Sequence, residues 1–424
     1  MRSLFHTPLL AIVVTSLAAQ TPATGPAAKR PTAAQALAHA NALLASTPLV
    51  DGHNDLPWAI REDKRAPLDV DAYDLRKHTP HQTDIARMKA GHVGGQFWSV
   101  YIPGEIRDSG YARVQLEQID IARRMIAKYP EVLTPAYTTA DVRAAFKAGK
   151  IGSLLGMEGG HAIENSLGAL RAYYALGVRY MTLTHNVTLD WADAALDSAK
   201  HGGLTPFGKD VVREMNRLGM LVDLAHVSPG VMSNALDVTE APVIFSHSAA
   251  RALVDHRRNV PDSILRRLPK NGGVVMVPFV PGFVSPALHA HAVLRGAVAA
   301  DARRRLGTDN AAVSRELSAW DTSHPAPHAT LKDVADQIDY VRKVAGVDHV
   351  GIGSDFDGVD DDLPDGLQDQ AAFPALFAEL IMRGWSDRDL KKLAGENVLR
   401  VLGTAEKVAK RLQKSRAAAT KTIL

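Results

Sequence analysis

The 424-residue chain carries 49 Lys and Arg against 46 Asp and Glu, a net charge of +3, and 46% of its residues are hydrophobic. So small a charge excess gives no electrostatic footprint for nucleic acid or an acidic membrane surface, while the apolar share suffices for a large core. Cysteine is absent, which excludes disulfides and thiolate–metal sites and leaves His, Asp and Glu as the metal-binding side chains.

The N-terminus reads as a short export signal. Arg2 precedes an apolar stretch over 9–14, and small residues follow around Ser16-Leu17-Ala18. The stretch is shorter than the roughly 20 apolar residues of a transmembrane helix. The expected division is a signal peptide over 1–19, an Ala/Pro-rich linker over 20–32, one catalytic domain over 33–404 and a basic tail over 405–424. The chain is thus expected to be exported, periplasmic or secreted, without a membrane anchor.

Eight apolar, β-branched-rich runs follow, at 47–55, 92–101, 151–158, 178–185, 221–226, 242–247, 272–279 and 349–355. Each is bounded by Gly, Pro or polar residues, as expected of strands buried on both faces of a parallel sheet. Helix-period segments lie between most of them. The segment 166–176 stops at Gly177, 205–218 opens on Thr-Pro and stops at Gly219, 228–236 opens on Ser-Pro-Gly, and 331–345 stops at Gly346. Alternating strands and helices wind into an open doubly wound sheet or a closed barrel. Eight strands favour closure into a (β/α)8 TIM barrel. No Gly-x-Gly-x-x-Gly loop follows a strand, which removes the main support for a dinucleotide site. The segment 285–329 is enlarged by two further helix-period stretches.

The ends of these strands carry the chemistry: His53 and Asp55, Glu158, His185, His226, His247, then Asp355 and Asp357. In a barrel, the carboxyl ends of parallel strands meet on one rim, where active sites of this fold sit. Carboxylates and imidazoles packed together repel or desolvate one another unless a cation balances them. With N and O ligands alone, Zn²⁺ leads, and Mn²⁺ or Co²⁺ also suit. His53 and Asp55 face one side of a regular strand and can grip one ion, while His226 and His247, on adjacent strands, can grip a second. Glu158 could bridge both. Ions about 3.5–4 Å apart hold a bridging hydroxide and polarise a carbonyl. Asp355 could then accept or pass a proton. The residues read as metal-assisted hydrolysis.

Each residue also has a structural reading. A single strand-end His is more often a hydrogen-bonded rim residue, although Glu158 resists that account because a buried unpaired carboxylate is costly. Asp223 suits a supporting role behind the ligands, and Asp357 can brace the loop at Gly358. Trp58 can wall the pocket or pack under a loop. Either Arg257 or Arg258 is close enough to hold an anion. His161, His201, His256, His289, His291, His324 and His328 read as surface residues.

The motifs DGHNDLPW, GMEGG, MTLTHN, VDLAHVS, FSHS, RRNVPD and GIGSDFDG occur in this order. Together they closely resemble the membrane dipeptidase (renal dipeptidase) family of zinc peptidases, peptidase family M19, over residues 49–402. The resemblance implies a (β/α)8 barrel with two zinc ions per chain that hydrolyses dipeptides, including those with a D-residue second. It implies His53, Asp55 and Glu158 on one zinc, with Glu158 shared by the other, which His226 and His247 complete. It places His185 on the substrate carbonyl oxygen, Arg258 on the substrate's free carboxylate, and Asp355 on the proton passing from water to the leaving amine.

The chain departs from mammalian members in having no Cys and no signal for a lipid anchor. It also has Phe283 where they have a Tyr near the substrate carboxylate. The expected partners are therefore dipeptides, with a homodimer left open. A metal-dependent amidohydrolase acting on N-acyl amino acids, lactones or β-lactams is the alternative, and an inert exported binding protein is the third reading.

Overall fold

The computed structural model describes residues 31–106, 110–359 and 362–423. The expected signal peptide and nearly all of the linker lie outside these residues. The described chain opens on the helix Ala33–Leu44, where Thr32 and Gln35 form a reciprocal capping box.

Nine strands follow: β1 Leu49–Asn54, β2 Val93–Ser99, β3 Leu133–Pro135, β4 Ile151–Glu158, β5 Val178–Thr182, β6 Leu221–Asp223, β7 Ile244–Phe245, β8 Val274–Val277 and β9 Val350–Ile352. All pair in parallel, and a ladder from Gly95↔Gly152 to Ser99↔Gly156 joins β2 to β4. This closes an eight-stranded (β/α)8 barrel in the order β1, β2, β4, β5, β6, β7, β8, β9. Strand β3 lies outside that ring, against the start of β4. Three residues ending in proline offer little periodicity, and the sequence reading has no strand there.

Alternation along the strands separates two cores. Val50, Phe97, Leu154, Tyr180, Leu221, Val274 and Met276 share the barrel interior. Their neighbours Leu49, Trp98, Leu155, Met181, Val222 and Val275 pack outward against the helices. Val398, Leu399 and Leu402 join the interior cluster, so the helix Asn397–Ser415 plugs one end of the barrel. That helix continues past Thr404 and buries Ala405, Ala409 and Leu412. The expected tail from 405 is therefore partly structural, because an apolar stripe runs through its basic residues. Beyond the helix, the carbonyl of Ala419 accepts from Arg171 at 2.7 Å.

With one end plugged, the strands' carboxyl ends frame the open end. Several strands are shorter than their apolar runs, so the residues that matter stand just past the ladder. His226, Asp355 and Asp357 adopt φ of 65°, 66° and 62°, a left-handed conformation that L-residues rarely take and that clusters at functional sites. In β1 the register shifts between Asp51 and Asn54, and Asp55 already caps the helix Leu56–Arg61. His53 and Asp55 are therefore brought together by an irregular strand end, not by the regular alternation expected from sequence. The 285–329 segment forms the helices Pro286–Leu306 and Asn310–Ser323, joined by the Arg295–Asp321 ion pair at 2.7 Å. Among the described residues, no helix is long and apolar enough to cross a membrane.

Close approach at the rim requires Gly353, where a Cβ would stand 1.8 Å from the Ser246 carbonyl oxygen. Because backbone meets backbone there, Gly353→Ala is expected to lower the unfolding free energy by about 3 kcal/mol. A urea melt would show this as a lower midpoint at unchanged slope.

Candidate metal centre and cavity

Glu158, the last residue of β4, is the hub. Its Oε1 stands 2.9 Å from His226 Nε2 and 3.4 Å from His247 Nε2. Its Oε2 stands 3.5 Å from His53 Nε2. His53 Nε2 also lies 3.0 Å from Asp55 Oδ2 and 3.9 Å from Asp355 Oδ1. Potential ligand atoms gather in three overlapping groups, each within 4.8 Å: His53, Glu158 and His247; Glu158, His185 and His226; His53, Asp55 and Asp355. All five side chains expected to hold metal are thus together, with the two oxygens of Glu158 dividing them.

The imidazoles are held from behind. His53 Nδ1 meets the Tyr180 hydroxyl at 2.7 Å, His226 Nδ1 meets Asn186 Oδ1 at 3.0 Å, and His247 Nδ1 meets Ser246 Oγ at 2.8 Å. An amide oxygen only accepts, so His226 carries its proton on Nδ1 and turns a lone pair inward. The Ser246 hydroxyl donates to Asp223 Oδ2 at 2.5 Å, and so it accepts from His247 Nδ1 with the same result. Asp223 is fixed in turn by Thr182 Oγ1 at 2.6 Å and the Ser246 amide at 2.8 Å.

The two inward Nε2 atoms lie 2.9 Å apart and both face Glu158. Lone pairs and a carboxylate in such contact repel unless a cation stands among them. Asp55 Oδ1 is also buried without a partner. The N/O donor set therefore fits a divalent metal ion.

Burial holds the His226 and His247 pKa values well below the usual imidazole range, and the positive charges of Arg258 and neighbouring His residues add to the effect. Both are ready to bind metal without shedding a proton. His53 differs. Burial opposes its charge, but Tyr180, Asp55 and Glu158 outweigh it and push the pKa well above the usual range. Burial would raise the Glu158 pKa, yet the charge of His53 holds it well below the ordinary carboxylate value. Asp355 goes the other way, pushed well up by burial and then by Asp55 and Glu158, against the pull of His53.

A cavity of about 600 Å³ opens above this floor. On one wall Arg258 is fully buried, its Nη1 has no partner, and its guanidinium lies 5.3 Å from the Phe283 ring centroid. Burial lowers its pKa to about 10, so it stays charged at neutral pH. Arg257 is exposed and donates to the Leu196 carbonyl at 3.1 Å, so of the two arginines Arg258 enters the cavity. His185 lies between Tyr101 and His226, with ring centroids 4.8 Å and 4.4 Å away. Its buried Nδ1 has no partner, and burial lowers its pKa. Trp58 lines the same cavity. Asp357 braces its loop by accepting from Asn54 Nδ2 and the Gln82 amide, both at 3.2 Å.

Two histidines are not the surface residues expected. His161 is buried with Nε2 on the Ile102 carbonyl at 2.9 Å, and His256 stacks on Phe283 at 4.6 Å. Sequence reasoning also missed Tyr180, Asn186 and Ser246. The last two directly neighbour His185 and His247 in sequence, and that adjacency was the available signal.

The family model for membrane dipeptidases, peptidase family M19, matches residues 37–416. The solved structure of the probable dipeptidase PvdM from Pseudomonas aeruginosa is similar at 28% identity, covering 89% of this chain and 100% of that one, with a TM-score of 0.76. A metallo peptidase from Rhodobacter sphaeroides, solved with a phosphinate mimic of the dipeptide L-Ala-D-Ala, shares the fold at 23% identity. There the coverage is 85% of this chain and 99% of that one, with a TM-score of 0.70.

A cation on His53 Nε2 must displace the proton that the folded protein holds there. Metal binding is therefore expected to weaken on acidification, by about tenfold per pH unit for one displaced proton below the His53 pKa. Titration calorimetry with Zn²⁺ at pH 6 and pH 7 measures this, and equal affinities would remove His53 from the ligand set.

Proposed function

The chain belongs to the membrane dipeptidase family, whose members are metal-dependent dipeptidases, and from that premise we propose a binuclear zinc dipeptidase acting on free L,L- and L,D-dipeptides. His53, Asp55 and Glu158 would hold one zinc, and Glu158, His226 and His247 the other. When bound, the pair supplies polarisation of the scissile carbonyl and a water made nucleophilic at neutral pH.

The chain's own groups complete the reaction. His185, neutral because it is buried, donates a hydrogen bond to the carbonyl oxygen as negative charge develops. Asp355 takes the proton lost by water and delivers it to the departing amine nitrogen, a task suited to a carboxyl whose pKa lies far above its ordinary value. Arg258 binds the free carboxylate through its two-pronged guanidinium.

Arg258 carries the reading. A buried guanidinium with an unpartnered Nη1 calls for an anion, and its place beside the hub suits a substrate that ends one residue past the scissile bond. Export from the cytoplasm belongs to the same reading and is supported by the apolar stretch behind Arg2.

Arg258→Met is expected to reduce kcat/KM for a free dipeptide about a hundredfold, with little further loss for a C-terminally amidated one. Equal losses on both would remove the carboxylate clamp and favour the amidohydrolase alternative. Stripping metal should abolish activity, and Zn²⁺ should restore it with two ions per chain by elemental analysis. Restoration at one ion per chain would overturn the binuclear assignment.

A further inference from the structure

The order of strands around the closed sheet sets the loop after β2 diametrically opposite the loop after β7. The β7 loop supplies Arg258, and its neighbour after β8 supplies Phe283. Facing them, the ends of β1 and β2 supply Trp58, Glu62 and Tyr101, which line the same cavity. Trp58 and Tyr101 meet edge to face at 4.9 Å. Arg61 lies 5.7 Å from the Trp58 ring but is committed to Glu117 at 2.9 Å and Gln118 at 2.8 Å. Glu62 is exposed, and among the described residues its carboxylate makes no hydrogen bond or ion pair. Burial raises the Tyr101 pKa, and the charges of Glu158, Glu105, Asp55 and Glu62 add to the effect, so Glu105 is the other acid to test beside Glu62.

A dipeptide with its carboxylate on Arg258 and its carbonyl over Glu158 must point its first residue toward this wall. Its α-amino nitrogen lies only about 2.5 Å from the scissile carbonyl carbon, so it stays on the floor with Asp55 and Asp355. The first side chain alone reaches the rim. We propose that Trp58, Tyr101 and Glu62 form the subsite for that side chain and that it selects a cationic one of the lysyl or arginyl kind. The aromatic rings cover the aliphatic stem, and Glu62 pairs with the charged end. This inference rests on the dipeptidase reading and adds the substrate class to it.

The test compares lysyl-alanine with norleucyl-alanine, which keeps the stem and lacks the ammonium group. In the zinc-loaded enzyme, kcat/KM is expected to favour the lysyl substrate about fivefold at low salt, as for a solvent-exposed ion pair. That ratio should shrink as ionic strength rises. In Glu62→Gln the ratio should fall to about one, whereas Glu105→Gln should keep most of it. A wild-type ratio of one, or a ratio that survives Glu62→Gln, overturns the subsite and leaves the dipeptidase reading standing. Collapse of the ratio in Glu105→Gln alone moves the selecting charge away from Glu62 and overturns the assignment. Cleavage of neither substrate overturns both readings.

Discussion

The whole arrangement depends on one unfavourable contact. His226 and His247 turn their Nε2 lone pairs toward each other at 2.9 Å, and Glu158 presses an oxygen against both. Without positive charge among them these groups repel, and burial strengthens the repulsion because little water is there to screen it. Protonation relieves this poorly, since burial holds both imidazoles well below their usual range. A metal ion relieves it directly. The packing of these donor atoms therefore favours a cation among them.

Holding such a contact open requires backing at every ligand. Asn186 and Ser246 take the outer nitrogens of His226 and His247, and Asp223 orients Ser246. Behind β1, Asp51 does for the strand end what Asp223 does behind β6: it accepts the Ser354 amide at 2.7 Å and the Ser354 hydroxyl at 2.6 Å. These buried carboxylates make no contact with the cavity. They keep the neighbouring strand ends at fixed separation, which the ligands need because a shift of about an ångström would lose the coordination geometry. The left-handed residues His226 and Asp355 belong to the same design. Each carries a backbone cost of about 1–3 kcal/mol, offset by the packed strands on either side.

Much of this was legible from residues alone because parallel strands carry their chemistry at one end. Once eight apolar runs were ordered, His53, Glu158, His185, His226, His247 and Asp355 had to share a rim, and the motif resemblance sharpened what each would do. What was not legible depended on three-dimensional register. The pairing of His53 with Asp55 follows from a shifted strand end, although the alternation argument reached the same pair by assuming a regular one. Tyr180 faces the barrel interior, and nothing in the run VRYMT says which imidazole it will meet. Strand β3 was too short to show a period. The basic tail concealed an apolar stripe, because Ala405, Ala409 and Leu412 lie four and three residues apart among lysines and arginines. His161 looked exposed because only the folded chain brings the Ile102 carbonyl to its ring.

The cavity above the hub is electrically two-ended, and this follows from the order of strands. Its cationic end comes from the loop after β7, where Arg258 rests on Phe283. Its acidic end is the floor, where Asp55 and Asp355 stand, with Glu62 farther out beyond Trp58. A free dipeptide is a zwitterion with its carboxylate and amine separated by about two residues of chain, no more than ~7 Å. In a site of this polarity it can lie productively in one direction, with the scissile bond over Glu158. A reversed dipeptide would bring its ammonium group to Arg258 and its carboxylate to the acids, which is unfavourable at both ends. Orientation is therefore set by charge before any side chain is read. On the proposed reading the buried guanidinium also opposes extension past the carboxylate, since a further residue there would have to displace it. The limit on that side then comes from where one arginine is buried.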